Sequence, residues 1–289
     1  MDLNTDVIIA NKYKILERIG NGTFGNIYKG VNTKTQEYIA IKLEDKKTQY
    51  KLLKREASIL KYLHEQQCRN IPSIHWFGQF QDNMGIVIPF YDCSLYQYCK
   101  IKSLSKSQLK TIMVQCISIL ESIHNNMLIH RDIKPHNIMI SQGNLFLIDF
   151  GIATFYINQE QIHQPNIIGE QITGTPKYIS YHIHNGCTPS RRDDLISLGY
   201  VYIYLYAQEL PWDNILTNND NELYPSELYI SHSNNILRKS LKQIENITNI
   251  CKNINTELEH FFIFCDKYEY HETPNYLSLC HLFAQNNNS

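Results

Sequence analysis

One stretch limits the fold and chemistry of this chain more than any other. It is His130-Arg131-Asp132-Ile133-Lys134-Pro135-His136-Asn137, a polar loop set between apolar runs. Before it come the helix-like run Ile117 to Ile123 and the short stretch Met127-Leu128-Ile129. After it come Ile138-Met139-Ile140 and then Leu145-Phe146-Leu147-Ile148, which delivers Asp149-Phe150-Gly151. Strand-sized segments thus present an Asp, a Lys and an Asn on one loop and a second Asp just beyond. Phosphoryl transfer requires such a set. One carboxylate orients or accepts a hydroxyl proton, while an amide and another carboxylate hold Mg²⁺ against phosphate oxygens. Each residue alone has a plainer reading, because Asp and Asn cap turns in any loop.

The N-terminal third supplies further members of the set. Tyr13 to Ile19 alternates and runs into Gly20-Asn21-Gly22-Thr23-Phe24-Gly25, followed by Asn26-Ile27-Tyr28-Lys29-Gly30-Val31. This reads as strand, glycine-rich turn, strand, with glycines letting backbone amides approach phosphates. G-x-G-x-x-G alone also fits a plain hairpin, or a dinucleotide fingerprint if a helix followed. The residues that follow are β-branched and aromatic, which favours a strand. Tyr38-Ile39-Ala40-Ile41-Lys42-Leu43 is the next strand, and Lys42 lies among apolar residues where an unpaired charge is costly. A snorkelling edge lysine is the plainer alternative. A paired Lys42 needs a carboxylate. Gln49 to His64 has a helical apolar face of Leu52, Leu53, Ala57, Ile59, Leu60 and Leu63, and Glu56 lies within its span. Glu44 and Glu65 are the alternatives. Ile71 to Phe77 and Gly85 to Phe90 read as two more strands, the second stopping at Pro89, which cannot donate to a ladder. His75 and Trp76 read as packing residues. Ser94 is a candidate N-cap for a helix from Leu95, and Ser107 to Asn125 is a long amphipathic helix.

H-R-D-x-x-x-x-N followed by D-F-G, together with the glycine-rich turn and Ala-Ile-Lys, resembles the protein kinase superfamily. The resemblance implies an α+β, bilobal fold. A small β-rich N-lobe with one helix would occupy residues 1 to 89, and a mainly helical C-lobe residues 90 to 289, with ATP in the cleft. It implies Asp132 as catalytic base, Lys134 as the charge on the transferring phosphoryl group, and Asn137 and Asp149 as Mg²⁺ ligands. ATP would then be met by Ile19, Gly20, Asn21, Gly22, Thr23, Phe24, Gly25, Asn26, Ile27 and Ala40. Lys42, paired with Glu56, would hold its phosphates, and Ile88, Phe90 and Tyr91 would form the adenine pocket and hinge. Asp-Ile-Lys-Pro resembles serine/threonine kinases rather than tyrosine kinases.

The segment after Gly151 points to a branch. Where most kinases carry A-P-E, this chain has Thr173-Gly174-Thr175-Pro176-Lys177-Tyr178-Ile179-Ser180. Ser190-Arg191-Arg192-Asp193-Asp194-Leu195-Ile196-Ser197-Leu198-Gly199-Tyr200 and Leu210-Pro211-Trp212 follow. This resembles the casein kinase 1 family over about residues 13 to 283. In the run Tyr200 to Tyr206, tyrosines alternate with aliphatics as in a strand, yet no polar face exists and the run is long. Such an all-round apolar run suits a buried helix. The resemblance also favours helix, with Asp194 at its start bonding the backbone of the catalytic loop. One arginine of the family's substrate-anion site corresponds to Lys177, which keeps the charge and loses the bidentate fork. The basic run expected after Leu-Pro-Trp is replaced by the acidic and polar Asp213 to Glu222. A weakened preference for primed or acidic substrates is the expectation, as is activity without phosphorylation of the activation segment.

Composition narrows the setting. At 289 residues, 43% hydrophobic and 19% charged, the chain is long enough for a large core. A net charge of -1 creates no global field toward nucleic acid or anionic membrane. Leu195 to Gln208, the longest uncharged apolar stretch, is too short to span a bilayer. The eight cysteines form no C-x-x-C pair and read as reduced thiols. A soluble, monomeric, cytoplasmic enzyme is expected, using ATP and Mg²⁺ on protein substrates. No signal peptide is read at the N-terminus, and no regulatory extension after the last helix. A pseudokinase scaffold is the alternative. It commonly lacks one of the residues that Lys42, Asp132 and Asp149 supply. A small-molecule kinase is a second alternative, opposed by Lys134 and the Ser-Arg-Arg-Asp-Asp-Leu block.

Overall fold

The computed structural model describes residues 7–22, 25–169, 172–213 and 232–284. Thr23 and Phe24, the stretch from residue 214 to 231 and the Asn-rich end therefore lie outside the described residues. The chain forms two compact units. The first runs to Asp92 and takes back Phe146–Ile152; the second holds Cys93–Leu145 and continues from Ala153.

The first unit is built on an antiparallel sheet of β1 (Ile8–Ile9), β2 (Tyr13–Gly22), β3 (Gly25–Asn32), β4 (Tyr38–Asp45), β5 (Trp76–Phe80) and β6 (Asn83–Pro89). One helix, α1 (Leu52–Glu65), joins β4 to β5. The strand order is β1-β2-β3-β4-β6-β5. Side chains alternate across a strand, so β4 sorts its residues onto two faces. Ile39, Ile41 and Leu43 join Ile9, Tyr13, Ile15, Tyr28 and Val87 in a buried cluster. Ala40, Lys42 and Glu44 share the opposite face. Their cross-strand partners are Lys29 and Ile27 on β3 and Ile88, Ile86 and Met84 on β6. β6 ends at Pro89, as the missing amide of proline dictates. The strand expected from Ile71 begins only at Trp76. Pro72 has no amide to donate, its carbonyl is taken by His64 Nε2 at 2.8 Å, and the ladder to β6 starts at Trp76↔Val87.

The second unit opens with β7 (Cys93–Ser94), α2 (Leu95–Ile101), α3 (Lys106–Asn125) and β8 (Leu128–Ile129). β9 (Ile138–Ser141) pairs with β7, and β10 (Asn144–Leu147), which crosses into the first unit's stretch, completes that sheet. β11 (Thr154–Phe155) pairs with β8. Helices α4 (Tyr181–His184), α5 (Arg191–Ala207), α6 (His232–Leu241), α7 (Ile244–Lys252), α8 (Thr256–Lys267) and α9 (Tyr276–Ala284) follow. Ser94 caps α2 and Ser105 caps α3, each in a reciprocal box with a glutamine three residues on. The tyrosine-rich run is helical, and every residue from Asp193 to Leu205 on α5 is buried. The three buried tyrosines of the run pack on rings from other parts of the unit. Tyr200 packs on Trp212 and Phe262, Tyr202 on Phe283, and Tyr204 on Tyr96 and Tyr178. The eight cysteines are free thiols, five of them buried. Among the described residues no helix is long and apolar enough to cross a membrane.

Gly199 on α5 lies directly against Phe262 of α8. A Cβ there would sit 2.4 Å from the Phe262 ring. Gly199→Ala is expected to destabilise the protein by about 1–3 kcal/mol through overpacking. Urea unfolding of the two proteins checks this, and a difference under about 0.5 kcal/mol would show that Phe262 yields freely.

Candidate active site

In the first unit the buried face of β4 meets the first turns of α1. Lys42, only 6% exposed, places Nζ 2.6 Å from Oε1 of the fully buried Glu56 and 3.7 Å from Asp149 Oδ1. Of the three carboxylates open on sequence alone, Glu56 is thus the one bonded to Lys42. Burial works against the lysine charge, but Glu56 and Asp149 outweigh it and hold its pKa above the ordinary lysine value. Glu44 has a different task. Its Oε1 accepts from the backbone N–H groups of Leu52 and Leu53 at 3.1 and 3.3 Å. α1 has no side-chain cap of its own at Lys51, so a strand residue two places beyond Lys42 supplies it. Strand and helix are thereby fixed to each other one turn before Glu56.

Around this pair lie the other first-unit candidates. Ala40 faces Ile88 across β4 and β6, and Ile27 faces Lys42 across β3 and β4. Ile88 and Tyr91 are buried, and Tyr91 packs on Phe146 with ring centroids 4.8 Å apart. Phe90 meets Tyr38 edge-on and lies under Lys29 Nζ. Ile19 is 47% exposed. In the glycine-rich turn, Asn21 pairs with Asn26 and Gly22 with Gly25. Gly25 has φ +120° and a Cβ there would meet the Leu43 carbonyl oxygen at 2.1 Å, so the fold itself demands glycine. Gly20 differs, since a Cβ there would meet nothing within 4 Å. The fold leaves open space at Gly20 that a ligand can use. Thr23 and Phe24 fall outside the described residues.

Asp149 follows β10 with φ +74°, an uncommon conformation for a residue with a Cβ. Its Oδ1 is buried and accepts no hydrogen bond among the described residues, with Lys42 Nζ 3.7 Å away. A buried carboxylate oxygen with lone pairs to spare suits a divalent cation.

In the second unit the loop after β8 gathers three side chains around Asp132. Lys134 Nζ lies 2.8 Å from Asp132 Oδ2. Asn137 donates through Nδ2 to the same oxygen at 3.0 Å and to the Asp132 carbonyl at 2.9 Å. Oδ1 is therefore the ligand atom that Asn137 can still offer. Thr175 Oγ1 donates to Asp132 Oδ1 at 2.6 Å and accepts from Lys134 Nζ at 2.9 Å. Burial pushes the Asp132 pKa up. The Lys134 charge, the bonds from Lys134 and Thr175, and His130 together bring it below the ordinary value, leaving an ionised acceptor at neutral pH.

Asp194, in the first turn of α5, holds this loop from behind. It accepts from the backbone N–H groups of His130 and Arg131 at 2.7 and 2.9 Å, and its Oδ2 lies 3.0 Å from His124 Nε2. Lys177 pairs with Asp213 at 2.7 Å and stands 4.7 Å over the Tyr204 ring.

Thr175, and the capping role of Glu44, are what the sequence did not reveal. Thr175 lies forty-three residues from Asp132, and only the Gly174-Thr175-Pro176 turn hinted at a fixed backbone there. Gly174, at φ +109°, passes so close that a Cβ would sit 2.6 Å from the Arg131 carbonyl oxygen.

A family model described as protein kinase domain matches residues 13–277 of the chain.

Burial pushes the Asp194 carboxyl up, but its bonds and charge contacts with His124 and His130 outweigh this and depress its pKa. Its contribution to stability is complete above the ordinary value of 3.8 and is lost as pH falls below that, through the folded pKa. Asp194→Asn should cost about 1–3 kcal/mol at neutral pH, because loop donors lose a charged acceptor. It should also flatten the acid limb of stability. Urea midpoints measured from pH 7 to pH 3 test both, and an unchanged acid limb would rule Asp194 out as its source.

Proposed function

Because the chain belongs to the protein kinase domain family, we propose that it transfers the γ-phosphoryl group of ATP to serine and threonine hydroxyls of proteins, in the manner of the casein kinase 1 branch. Protein kinases are phosphotransferases with a two-lobed fold that use ATP and Mg²⁺. The observation that carries the finer reading is the ring of Asp132, Lys134 and Thr175. It supports an ionised carboxylate beside a lysine of the Asp-Ile-Lys-Pro type. The 2.6 Å bond from Thr175 Oγ1 also supports a role toward hydroxyls, since an aliphatic hydroxyl already donates to Asp132 Oδ1.

On this reading each residue has a physical task. Asp132 orients the acceptor hydroxyl and takes its proton at Oδ1 or Oδ2. Lys134 balances negative charge beside Asp132. Lys42, held by Glu56, binds phosphate oxygens. Gly20, Gly22 and Gly25 bring backbone amides near phosphates, and Ala40, Ile88, Phe90 and Tyr91 line the base. Asp149 and Asn137 offer Oδ1 atoms to the cation. Mg²⁺-ATP, when bound, supplies the phosphoryl group and the charge that makes its transfer possible.

Substrate preference departs from the branch. Lys177 is the anion-site candidate, and its ammonium is committed to Asp213, which also accepts from Leu210 N at 2.9 Å. A substrate phosphate must compete with that carboxylate. This supports weak discrimination in favour of primed substrates.

The test is transfer of labelled γ-phosphate from Mg²⁺-ATP to casein. Asp132→Asn should lower kcat by about 10²–10⁴-fold, and Lys42→Met should lower it comparably. Transfer at an undiminished rate by Asp132→Asn would sink the assignment of the base. A peptide pair with and without an upstream phosphoserine addresses preference. Asp213→Asn should raise the ratio of primed to unprimed kcat/KM by about two- to fivefold, the size of a partly exposed ion pair. A ratio that does not move would remove Lys177 from substrate recognition.

A further inference from the structure

Lys242 follows α6 and is 2% exposed, among the largest side chains buried in the protein. Among the described residues it has no carboxylate partner. Its Nζ donates instead to the backbone carbonyls of Ile179 at 2.7 Å, Pro176 at 2.9 Å and Lys177 at 3.2 Å. His184 Nε2 lies 3.2 Å away. The rings of Trp212 and Tyr200 flank the ammonium at 4.8 and 4.9 Å. Burial pushes the Lys242 pKa well down. The three carbonyl acceptors nevertheless favour the ammonium form, which brings three N–H donors where a neutral amine has two. A buried charge is tolerated only when hydrogen-bonded, and here all three carbonyls come from one four-residue stretch.

That stretch leads directly into the site. Tyr178 N and Ile179 N both donate to the Thr175 carbonyl, closing a turn. Trp212 Nε1 adds a second donor to the Lys177 carbonyl at 2.8 Å, and Ser180 Oγ bonds Asp193 at 2.5 Å. The Thr175 hydroxyl then reaches Asp132 and Lys134. An unbroken series of short bonds therefore joins Lys242 to the carboxylate proposed to handle the acceptor hydroxyl.

We propose that Lys242 is a positioning residue for protein-substrate engagement: its buried ammonium fixes the 176–179 backbone, and through it Thr175, against Asp132. The proposal rests on the reading of Asp132 given above. An apolar side chain of similar length would still pack between Trp212 and Tyr200, but the Pro176 and Ile179 carbonyls would lose the Lys242 donor and the Lys177 carbonyl would keep only Trp212 Nε1. The segment is thus tied down by a cation built into the chain, which gives a physical basis for activity without an added phosphate.

The experiment compares wild type with Lys242→Met and Lys242→Arg in the full chain. Hydrogen exchange of the amides of residues 175–180 is read without nucleotide or substrate. Lys242→Met should speed exchange there and raise KM for casein about tenfold, the equivalent of one charge-assisted hydrogen bond. KM for ATP should stay within about twofold, because the Lys42 pair is untouched. Lys242→Arg keeps a charge and donors, so it should recover part of both changes, and it serves where Lys242→Met fails to fold. Unchanged exchange at 175–180 with both KM values unchanged, or a loss of activity in proportion to folded protein alone, would overturn the proposal. Should wild type transfer no phosphate while Lys242→Met still speeds exchange at 175–180, the reading of Asp132 fails and the anchoring role of Lys242 stands.

Discussion

The carboxylate of Asp194 is the point on which the second unit depends. Two consecutive backbone N–H groups, at His130 and Arg131, converge on it from a loop that has no ladder at that place. Arg131 has φ +72°, and a residue with a Cβ holds that conformation only where its surroundings over-determine it. The first turn of a helix is where a carboxylate is best tolerated, because exposed N–H groups and the helix dipole favour negative charge. α5 can offer this place deep inside the unit because its sides are apolar or aromatic almost throughout. Loop geometry at Asp132 is therefore inherited from the packing of a helix sixty residues away in the chain.

In the first unit the equivalent constraint is the desolvated pair of Lys42 and Glu56. Removing two charges from water is costly, and the pair alone does not guarantee a gain. Its geometry is held by neighbours that bear no charge relation to it. The alternation of β4 puts Ile39, Ile41 and Leu43 into the core, which turns Lys42 toward α1. Glu44, on the same face, ties the start of α1 to the same strand. A one-residue slip of β4 would turn Lys42 into the apolar cluster and Ile41 toward Glu56, so core burial enforces the register of the charged face.

The sequence carried the elements whose signals are local. The Ser94 cap, the stop at Pro89, the face of α1 that includes Glu56 and the spacing from Asp132 to Asn137 all depend on neighbours within a turn or two. The tyrosine-rich run was legible as helix because it lacked a polar face and was long for a strand, with the family resemblance pointing the same way. What escaped was set by distance. Thr175 looks like any threonine before a proline until Gly174 brings it against Arg131. Lys242 stands in Arg-Lys-Ser-Leu-Lys-Gln, a run whose composition suits a solvated surface. Glu44 reads as a strand-end carboxylate, and its value as a helix cap exists only once α1 has folded back on β4. The strand expected from Ile71 starts only at Trp76, because apolar, β-branched composition says nothing about where a partner strand begins.

Four lysines show why residue type alone decides so little. Lys42 is buried against a carboxylate, Lys134 shares Asp132 with a hydroxyl, Lys177 is half-exposed on Asp213, and Lys242 is buried against three backbone carbonyls, the His184 ring and two aromatic faces. The same ammonium is thus given a charged, a mixed, a screened and a neutral set of acceptors. A charged partner makes a lysine responsive to any other anion that approaches, since two carboxylates or a carboxylate and a phosphate compete for it. Neutral carbonyls set up no such competition, and Lys242 is only 2% exposed. Lys42, Lys134 and Lys177 can therefore respond to a phosphate or an acidic group. Lys242 cannot, and that insensitivity is what a fixed support for Thr175 requires.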